Sequence, residues 1–137
     1  MSIQNKRLNV GEVMLDTSRF PIVTKTTILK EALEKMDTFR LGVACITDNN
    51  GQLLGIITDG DIRRKLLYIQ KPLTAFFIDD VINQAINNPI TISSDMSLIG
   101  AVGLMEERRV WDLPVVDNDK LIGLLHLHPA VKALLEG

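Results

Sequence analysis

The sequence of this 137-residue chain contains an internal repeat, and that repeat constrains the fold more than any other feature. A pattern that runs from Pro21 to Asp61 returns about 68 residues later, from Pro89 to Pro129. The apolar positions recur with the same spacing: Leu29, Ala32, Leu33 and Met36 become Leu98, Ala101, Val102 and Met105. Such self-similarity indicates one supersecondary unit used twice. We therefore expect two similar halves that pack sheet to sheet around one core.

Each copy predicts the element order β-α-β-β-α. In the first copy, an extended piece at 20–24 precedes a helix that Thr26 or Thr27 caps. The apolar positions at i, i+3, i+4 and i+7 indicate one face of an amphipathic helix. Strands at 41–47 and 53–57 flank an Asp-Asn-Asn-Gly turn, and a second helix follows them.

The second copy repeats this order with its own local signals. Asp95 takes the capping position, strands fall at 113–116 and 121–125, and Pro129 suits the first position of the last helix. These patterns predict an α/β (α+β) fold of two pseudo-symmetric units. They divide the chain into an N-terminal tail, a first repeat, a linker and a second repeat: 1–8, 9–70, 71–77 and 78–137.

Composition and charge exclude several classes of protein. Apolar residues make up 46% of the chain, enough for a filled interior, and the net charge of −2 gives no global reason to expect nucleic acid as a partner. The one cysteine, Cys45, lies in an apolar run that favours burial over nucleophilic chemistry. No apolar stretch approaches the roughly 18 residues of a membrane span, and residues 1–7 do not resemble a secretory signal. We therefore expect a cytoplasmic protein without a membrane partner.

Several stretches together carry a family resemblance: Pro21-Ile22-Val23, Gly55-Ile56-Ile57-Thr58-Asp59-Gly60-Asp61 and Leu113-Pro114-Val115-Val116-Asp117. With these motifs the chain resembles the tandem CBS-domain pair, also called the Bateman module. The resemblance implies a regulatory module that binds a nucleotide or a related ligand, has no catalytic residues of its own and associates as a homodimer.

A closer likeness rests on the run from Leu53 to Arg64 and on the ending Leu124-Leu125-His126-Leu127-His128. Both are similar to the CBS pair at the C-terminus of arabinose 5-phosphate isomerases of Kdo synthesis. The string Thr-Asp-Gly-Asp-Ile-Arg-Arg also suits CBS pairs of sugar nucleotidyltransferases, so the parent enzyme stays open. The ligand implied is an adenine or cytidine nucleotide, and CMP-Kdo, the end product of the pathway, is a candidate.

The candidate site lies where the predicted strand at 53–57 meets the helix that follows it. A helix N-terminus offers unpaired N–H groups and a partial positive charge to a phosphate. Thr58 can donate to a phosphate oxygen, Gly60 lets the backbone approach a ligand, and the Asp61 carboxylate can accept from both ribose hydroxyls. The spacing alone equally allows Asp59 or Asp61 simply to cap the helix.

The resemblance adds further residues to this site. In CBS modules the matching Thr and Asp contact the nucleotide, and extended backbone ahead of the first helix, here Ile22, Val23 and Thr24, helps to hold the base. One of the two arginines that follow, Arg63 or Arg64, is a candidate for folding back onto a phosphate. The alternative for both is a solvated helix face.

The second copy departs from this pattern. Thr58 aligns with His126 and Asp61 with Pro129, so the second copy lacks the carboxylate that would hold a ribose. His126 and His128 alternate along a predicted strand and so share a face, where a cap or a phosphate contact is the expected role. No further ligand lies beside them in sequence, so no metal site is predicted. We expect one competent nucleotide site or an asymmetric pair.

The sequence leaves three alternative functions for this chain. The first is a regulatory module whose ligand shifts the equilibrium of an attached or partner sugar-phosphate enzyme. The second is a module that binds no ligand and only drives oligomerisation. The third is an enzyme, which needs a nucleophile, base or metal cluster beside the paired carboxylates Asp59 and Asp61, and the sequence shows none there.

Overall fold

The two halves of the molecule do not coincide with the two sequence repeats. The computed structural model describes residues 8–136, so the predicted tail lies outside the described residues except for Leu8. This part of the chain forms two compact units, one from residues 8–18 with 90–136 and the other from residues 19–89. The opening segment of each predicted repeat, residues 9–18 and 78–89, therefore packs with the other repeat. Within the described residues, no helix has the length and apolar character needed to cross a membrane.

The described strands are, in chain order, β1 (Leu15–Asp16), β2 (Ile22–Thr24), β3 (Val43–Thr47), β4 (Leu53–Thr58), β5 (Ile86–Asn87), β6 (Asp112–Asp117) and β7 (Lys120–His126). The helices are α1 (Leu29–Phe39), α2 (Asp59–Tyr68), α3 (Leu73–Phe77), α4 (Leu98–Arg108) and α5 (Leu127–Glu136). Short 3₁₀ turns at Val10–Glu12 and Val81–Gln84 stand at equivalent points of the repeat.

The unit of residues 19–89 is built on a four-stranded sheet in the order β2-β3-β4-β5. β2 runs parallel to β3, and the other two pairings are antiparallel. The residues Val43 to Ile46 of β3 are fully buried, as the continuous apolar run predicted. The apolar face of α1 covers the sheet through Leu29, Ala32 and Met36, which belong to the same core cluster.

The other unit repeats this arrangement. Its sheet has the order β1-β7-β6, so β1 stands against β7 as β5 stands against β4. The counterpart of β2 is reduced to a single parallel bridge between Ile92 and Val115. α4 buries Leu98, Ala101 and Met105, the residues that the repeat aligns with the face of α1. The predicted α+β fold of two pseudo-symmetric units is confirmed.

Two predicted helix caps are wrong. α1 has Ile28 at its N-cap and no side-chain cap, because the Thr27 hydroxyl accepts from the Thr24 N–H at 3.1 Å and closes the preceding turn. α4 is capped by Ser97, whose Oγ accepts from the Gly100 N–H at 3.1 Å, rather than by Asp95. Both helices therefore begin later than the polar residues indicated.

The linker and the last helix also differ from the prediction. α3 occupies most of the predicted linker, and its Phe76 side chain is fully buried in the core of residues 19–89. α5 begins at Leu127, two residues before the position expected from Pro129. Proline is tolerated there because the first N–H groups of a helix have no intrahelical partner.

Candidate functional site

A reciprocal capping box closes the junction between β4 and α2. The Thr58 hydroxyl oxygen accepts from the Asp61 backbone N–H at 3.2 Å. The Oδ2 atom of Asp61 accepts in return from the Thr58 N–H at 3.1 Å and from its hydroxyl at 2.8 Å. The capping role that the sequence left open for Asp61 is therefore present, and it satisfies donors at the start of the helix.

Arg64 occupies the second oxygen of Asp61. Its Nη2 donates to Oδ1 at 2.8 Å, and the Asp61 side chain is 8% exposed while that of Arg64 is 59% exposed. A Cβ on Gly60 would stand 3.2 Å from Arg64 Nη1, so the guanidinium lies against the bare face of that glycine. The nearly buried carboxylate thus keeps a charged partner, which offsets part of its desolvation cost.

A cavity of about 460 Å³ opens beside this carboxylate, within the unit of residues 19–89. Its lining residues come from α2, the segment after it, α3 and the residues that lead into and begin β5: Asp61, Arg64, Lys65, Tyr68, Ile69, Lys71, Phe76, Gln84, Ala85 and Ile86. The volume lies in the range of small-molecule sites, which combine apolar walls with a few polar groups. Here three cations face one carboxylate, so the cavity suits a ligand that carries both anionic and hydroxyl groups.

One wall of the cavity is formed by the segment of residues 84–86, which belongs to the opening part of the predicted second repeat. β5 holds this segment against β4, with Ile86 opposite Ile56 and Asn87 opposite Gly55. The approach is close, because a Cβ on Gly55 would stand 2.7 Å from the Ile86 carbonyl oxygen.

Asp79 fixes the Gln84 side chain at the cavity. Gln84 Nε2 donates to Asp79 Oδ2 at 2.7 Å, and Asn83 Nδ2 donates to Asp79 Oδ1 at 3.0 Å. The hydrogen bonds from Asn83 and Gln84, with a smaller contribution from the Lys71 charge, hold the pKa of Asp79 below its ordinary value. Gln84 is 9% exposed and lines the cavity, so Asp79 holds this amide in place at the cavity wall.

Two of the residues predicted to bind a nucleotide, Asp61 and Arg64, line the cavity. Thr58 and Gly60 contact them directly through the capping box and the guanidinium. Arg63 is exposed and does not belong to the lining. The structure thus separates the two arginines that the sequence left as equivalent candidates, and it places Arg64 on Asp61.

The other predicted residues lie elsewhere in the sheet. Ile22, Val23 and Thr24 form β2, which pairs with β3 at the edge opposite β5, so the structure does not bring them to this cavity. Their contact with a base stays a prediction, and the wall of this cavity is formed instead by residues 84–86. The sequence reasoning missed these because a repeat assigns a segment to the copy that follows it, whereas here it packs with the copy before it.

The corresponding place in the second unit has different chemistry. Asp112 and His126 face each other across β6 and β7, and His126 Nδ1 lies 2.7 Å from Asp112 Oδ1. β7 ends at His126, and the exposed His128 belongs to the first turn of α5. The expectation that the two histidines share a strand face is therefore wrong. Among residues 8–136, no group of three or more potential ligands is placed to hold a metal ion.

Comparison with known proteins assigns the family. Residues 10–68 and 78–135 each match the CBS domain. The chain therefore belongs to the CBS-domain family and forms a tandem pair. Such a pair is a ligand-binding regulatory module and not a catalytic domain, and this confirms the class that the sequence motifs indicated.

Individual relatives agree with this assignment. Arabinose 5-phosphate isomerase KdsD of Escherichia coli K12 is 32% identical over 126 residues, which are 92% of this chain and 37% of that protein. The chain thus spans little more than a third of the length of this relative. A crystal structure of the Arabidopsis thaliana protein CBSX2 in complex with AMP is 27% identical, with a TM-score of 0.82 over 93% of this chain and 96% of that chain.

A second solved structure extends the likeness in fold. The CBS pair of protein MJ0100, in complex with 5′-methylthioadenosine and S-adenosyl-L-methionine, is 19% identical, with a TM-score of 0.78. The match covers 93% of this chain and 96% of that chain, so the described fold is that of a complete CBS pair.

Proposed function

We propose that this chain is a regulatory module that binds a nucleotide in the cavity beside Asp61. The observation that carries the proposal is the 460 Å³ cavity, in which a carboxylate at the start of a helix faces the cations Arg64, Lys65 and Lys71. Asp61 supplies acceptors for ribose hydroxyls, and the cations supply charge-assisted donors for phosphate. The AMP complex of CBSX2 supports this ligand class.

The base fits the wall formed by residues 84–86. Ala85 and Ile86 offer apolar surface there, and the Gln84 carbonyl oxygen offers an acceptor for an exocyclic amino group. Adenine and cytosine both carry such a group, so this contact suits the two bases that the family resemblance implies. Thr58 stays in the proposal as the residue that orients Asp61, because its hydroxyl already serves the capping box.

The regulated activity in this proposal is that of a sugar-phosphate enzyme, attached to this module or associated with it. The similarity to KdsD supports an arabinose 5-phosphate isomerase. CMP-Kdo is then the candidate feedback ligand, and a sugar nucleotidyltransferase is the alternative parent enzyme. Control of this kind requires that the ligand bind one state of the enzyme better than the other.

A thermal-shift panel of AMP, ADP, ATP, CMP, S-adenosylmethionine and CMP-Kdo tests the proposal. A ligand present at 100 times its dissociation constant stabilises the native state by about 2.7 kcal/mol. At least one nucleotide is expected to raise the melting temperature in proportion to the logarithm of its concentration. If none of the six raises it, the nucleotide proposal is refuted.

The variant Asp61→Ala locates the site. It loses the capping box, so its own stability falls by about 1 kcal/mol, and the nucleotide-induced shift is expected to disappear with it. Ser97→Ala is the matched control, because it removes the N-cap bond of α4 at a similar cost but leaves the cavity intact. An unchanged nucleotide shift in Asp61→Ala would place the ligand elsewhere.

A module that binds no ligand and only associates is the second candidate function. The exposed apolar side chains of α2 and α3 favour it, since Leu67 is 70%, Tyr68 79% and Leu73 56% exposed. A homodimer in the cytoplasm is part of both proposals. This second function would be favoured if analytical sedimentation shows a stable dimer and none of the six ligands raises the melting temperature.

A further inference from the structure

We propose that a ligand must displace the Arg64 side chain from Asp61 before its ribose can bind there. Because the displaced arginine can then bind a phosphate, Arg64 makes the site select nucleotides over nucleosides. The inference rests on the proposed nucleotide site and concerns which ligands can enter it. Arg64 and Asp61 both line the cavity, and their side chains are joined by a 2.8 Å hydrogen bond between Nη2 and Oδ1.

The Asp61 carboxylate has too few free acceptor positions for a ribose diol. A carboxylate has about four acceptor positions. Three donors already use them, namely the Thr58 N–H, the Thr58 hydroxyl and Arg64 Nη2. A ribose diol brings two more donors and therefore exceeds the remaining capacity by one. The Thr58 N–H belongs to the capping box, and the Thr58 hydroxyl oxygen is held in place by the Asp61 N–H, so the contact that gives way is the one from Arg64.

The Arg64 side chain is much more exposed than the carboxylate with which it pairs. Its side chain is 59% exposed, whereas Asp61 is 8% exposed, so the arginine can swing while the carboxylate stays in place. The guanidinium rests against Gly60, where no Cβ holds it in position. Lys65 and Lys71 also line the cavity, and their charges attract an anionic group into it.

The presence of a phosphate on the ligand decides whether displacement of Arg64 weakens binding. A nucleotide offers its phosphate to the displaced guanidinium, which exchanges one charge-assisted contact for another, in a bidentate geometry that suits arginine. A nucleoside displaces Arg64 without offering it an anion and loses that contact. The wild-type protein therefore favours nucleoside phosphates over their nucleosides.

Isothermal titration with AMP, adenosine, CMP and cytidine tests the role of Arg64. In Arg64→Ala, the nucleotide that binds the wild type is expected to bind about as tightly as before, because the variant loses the phosphate contact but no longer has to break the Asp61 contact. The matching nucleoside is expected to bind about tenfold more tightly, because it no longer has to displace a charge-assisted contact from Asp61. The dissociation constant of the nucleoside divided by that of the nucleotide should therefore fall by about tenfold.

A charge-matched control separates this effect from a general loss of positive charge. Lys35 is exposed on α1 and outside the cavity lining, and Lys35→Ala is expected to keep the wild-type ratio. A ratio unchanged by Arg64→Ala, with nucleotide binding still abolished by Asp61→Ala, overturns the role of Arg64 and leaves the proposed function standing. Wild-type protein that binds none of the six ligands of the thermal-shift panel overturns both.

Discussion

Replacement of Gly55 by alanine tests why the repeat keeps a glycine at this strand position in both copies. Gly55 and Gly123 are equivalent residues, and in each unit another strand crosses close to them. A Cβ at Gly55 would stand 2.7 Å from the Ile86 carbonyl oxygen, and at Gly123 it would stand 2.9 Å from the Leu15 carbonyl oxygen. Gly55→Ala is the cleaner experiment, because a Cβ added at Gly123 would also meet the flexible Met14 side chain.

The size of the effect follows from this geometry. Real Cβ contacts below 3.0 Å are essentially absent, so β5 must move away from β4 by roughly half an ångström. Forcing extra volume into a packed site costs about 1–3 kcal/mol. Replacing a strand glycine returns about 0.5–1 kcal/mol because the unfolded chain loses conformational freedom. The expected net loss in the free energy of unfolding is about 1–2 kcal/mol.

Urea denaturation measures this loss, and titration with AMP measures its effect on the cavity. Ile86 lines the cavity, so displacement of β5 should also weaken nucleotide binding. Gly103→Ala is the matched control: Gly103 is exposed on α4, an added Cβ there would have nothing within 4 Å, and the same change should stabilise the protein by up to about 1 kcal/mol. Gly55→Ala protein as stable as the wild type would refute the steric argument.

Two further predictions concern Asp79, which holds the cavity-lining Gln84, and His126, which stands where β7 meets α5. The pKa of Asp79 is lowered from 3.8 by its hydrogen bonds from Asn83 and Gln84, so the stability it contributes is present above about pH 4 and is lost as the pH falls through the folded pKa. The difference in unfolding free energy between the wild type and Asp79→Asn should therefore shrink on acidification, and a constant difference between about pH 6 and pH 3 would contradict this. His126→Ala should leave one nucleotide bound per chain in calorimetry while costing about 1 kcal/mol through loss of the Asp112 contact, and two nucleotides per wild-type chain would contradict the single site.

Much of the fold was predictable because it depends on local patterns. The apolar stripe from Leu29 to Met36 forms the buried face of α1, and the continuous run in β3 is buried throughout. The helix caps were less predictable, since Thr27 and Asp95 each find a partner in the preceding turn. A polar side chain near a helix start has several backbone donors within reach, and the turn geometry selects among them.

The candidate site was predictable only in its local part. Asp61 and Arg64 lie in one short motif, so the sequence placed them together at the start of α2. Their contact is an i, i+3 pair on a helix, which is within the reach of pattern reasoning. The separate fates of Arg63 and Arg64 follow from the helix rotation, because successive residues point about 100° apart.

The sequence by itself determined that one β-α-β-β-α unit occurs twice. It also determined that only the first copy carries a carboxylate at the start of its second helix. The tertiary structure alone decided which segment stands beside that carboxylate. Residues 84–86, and not 22–24, border the cavity, because the first strand of the second repeat, β5, pairs with the sheet of the first repeat. Periodicity reports which face of an element is buried, but strand pairing between distant segments depends on backbone hydrogen bonds that leave little trace in the side-chain pattern.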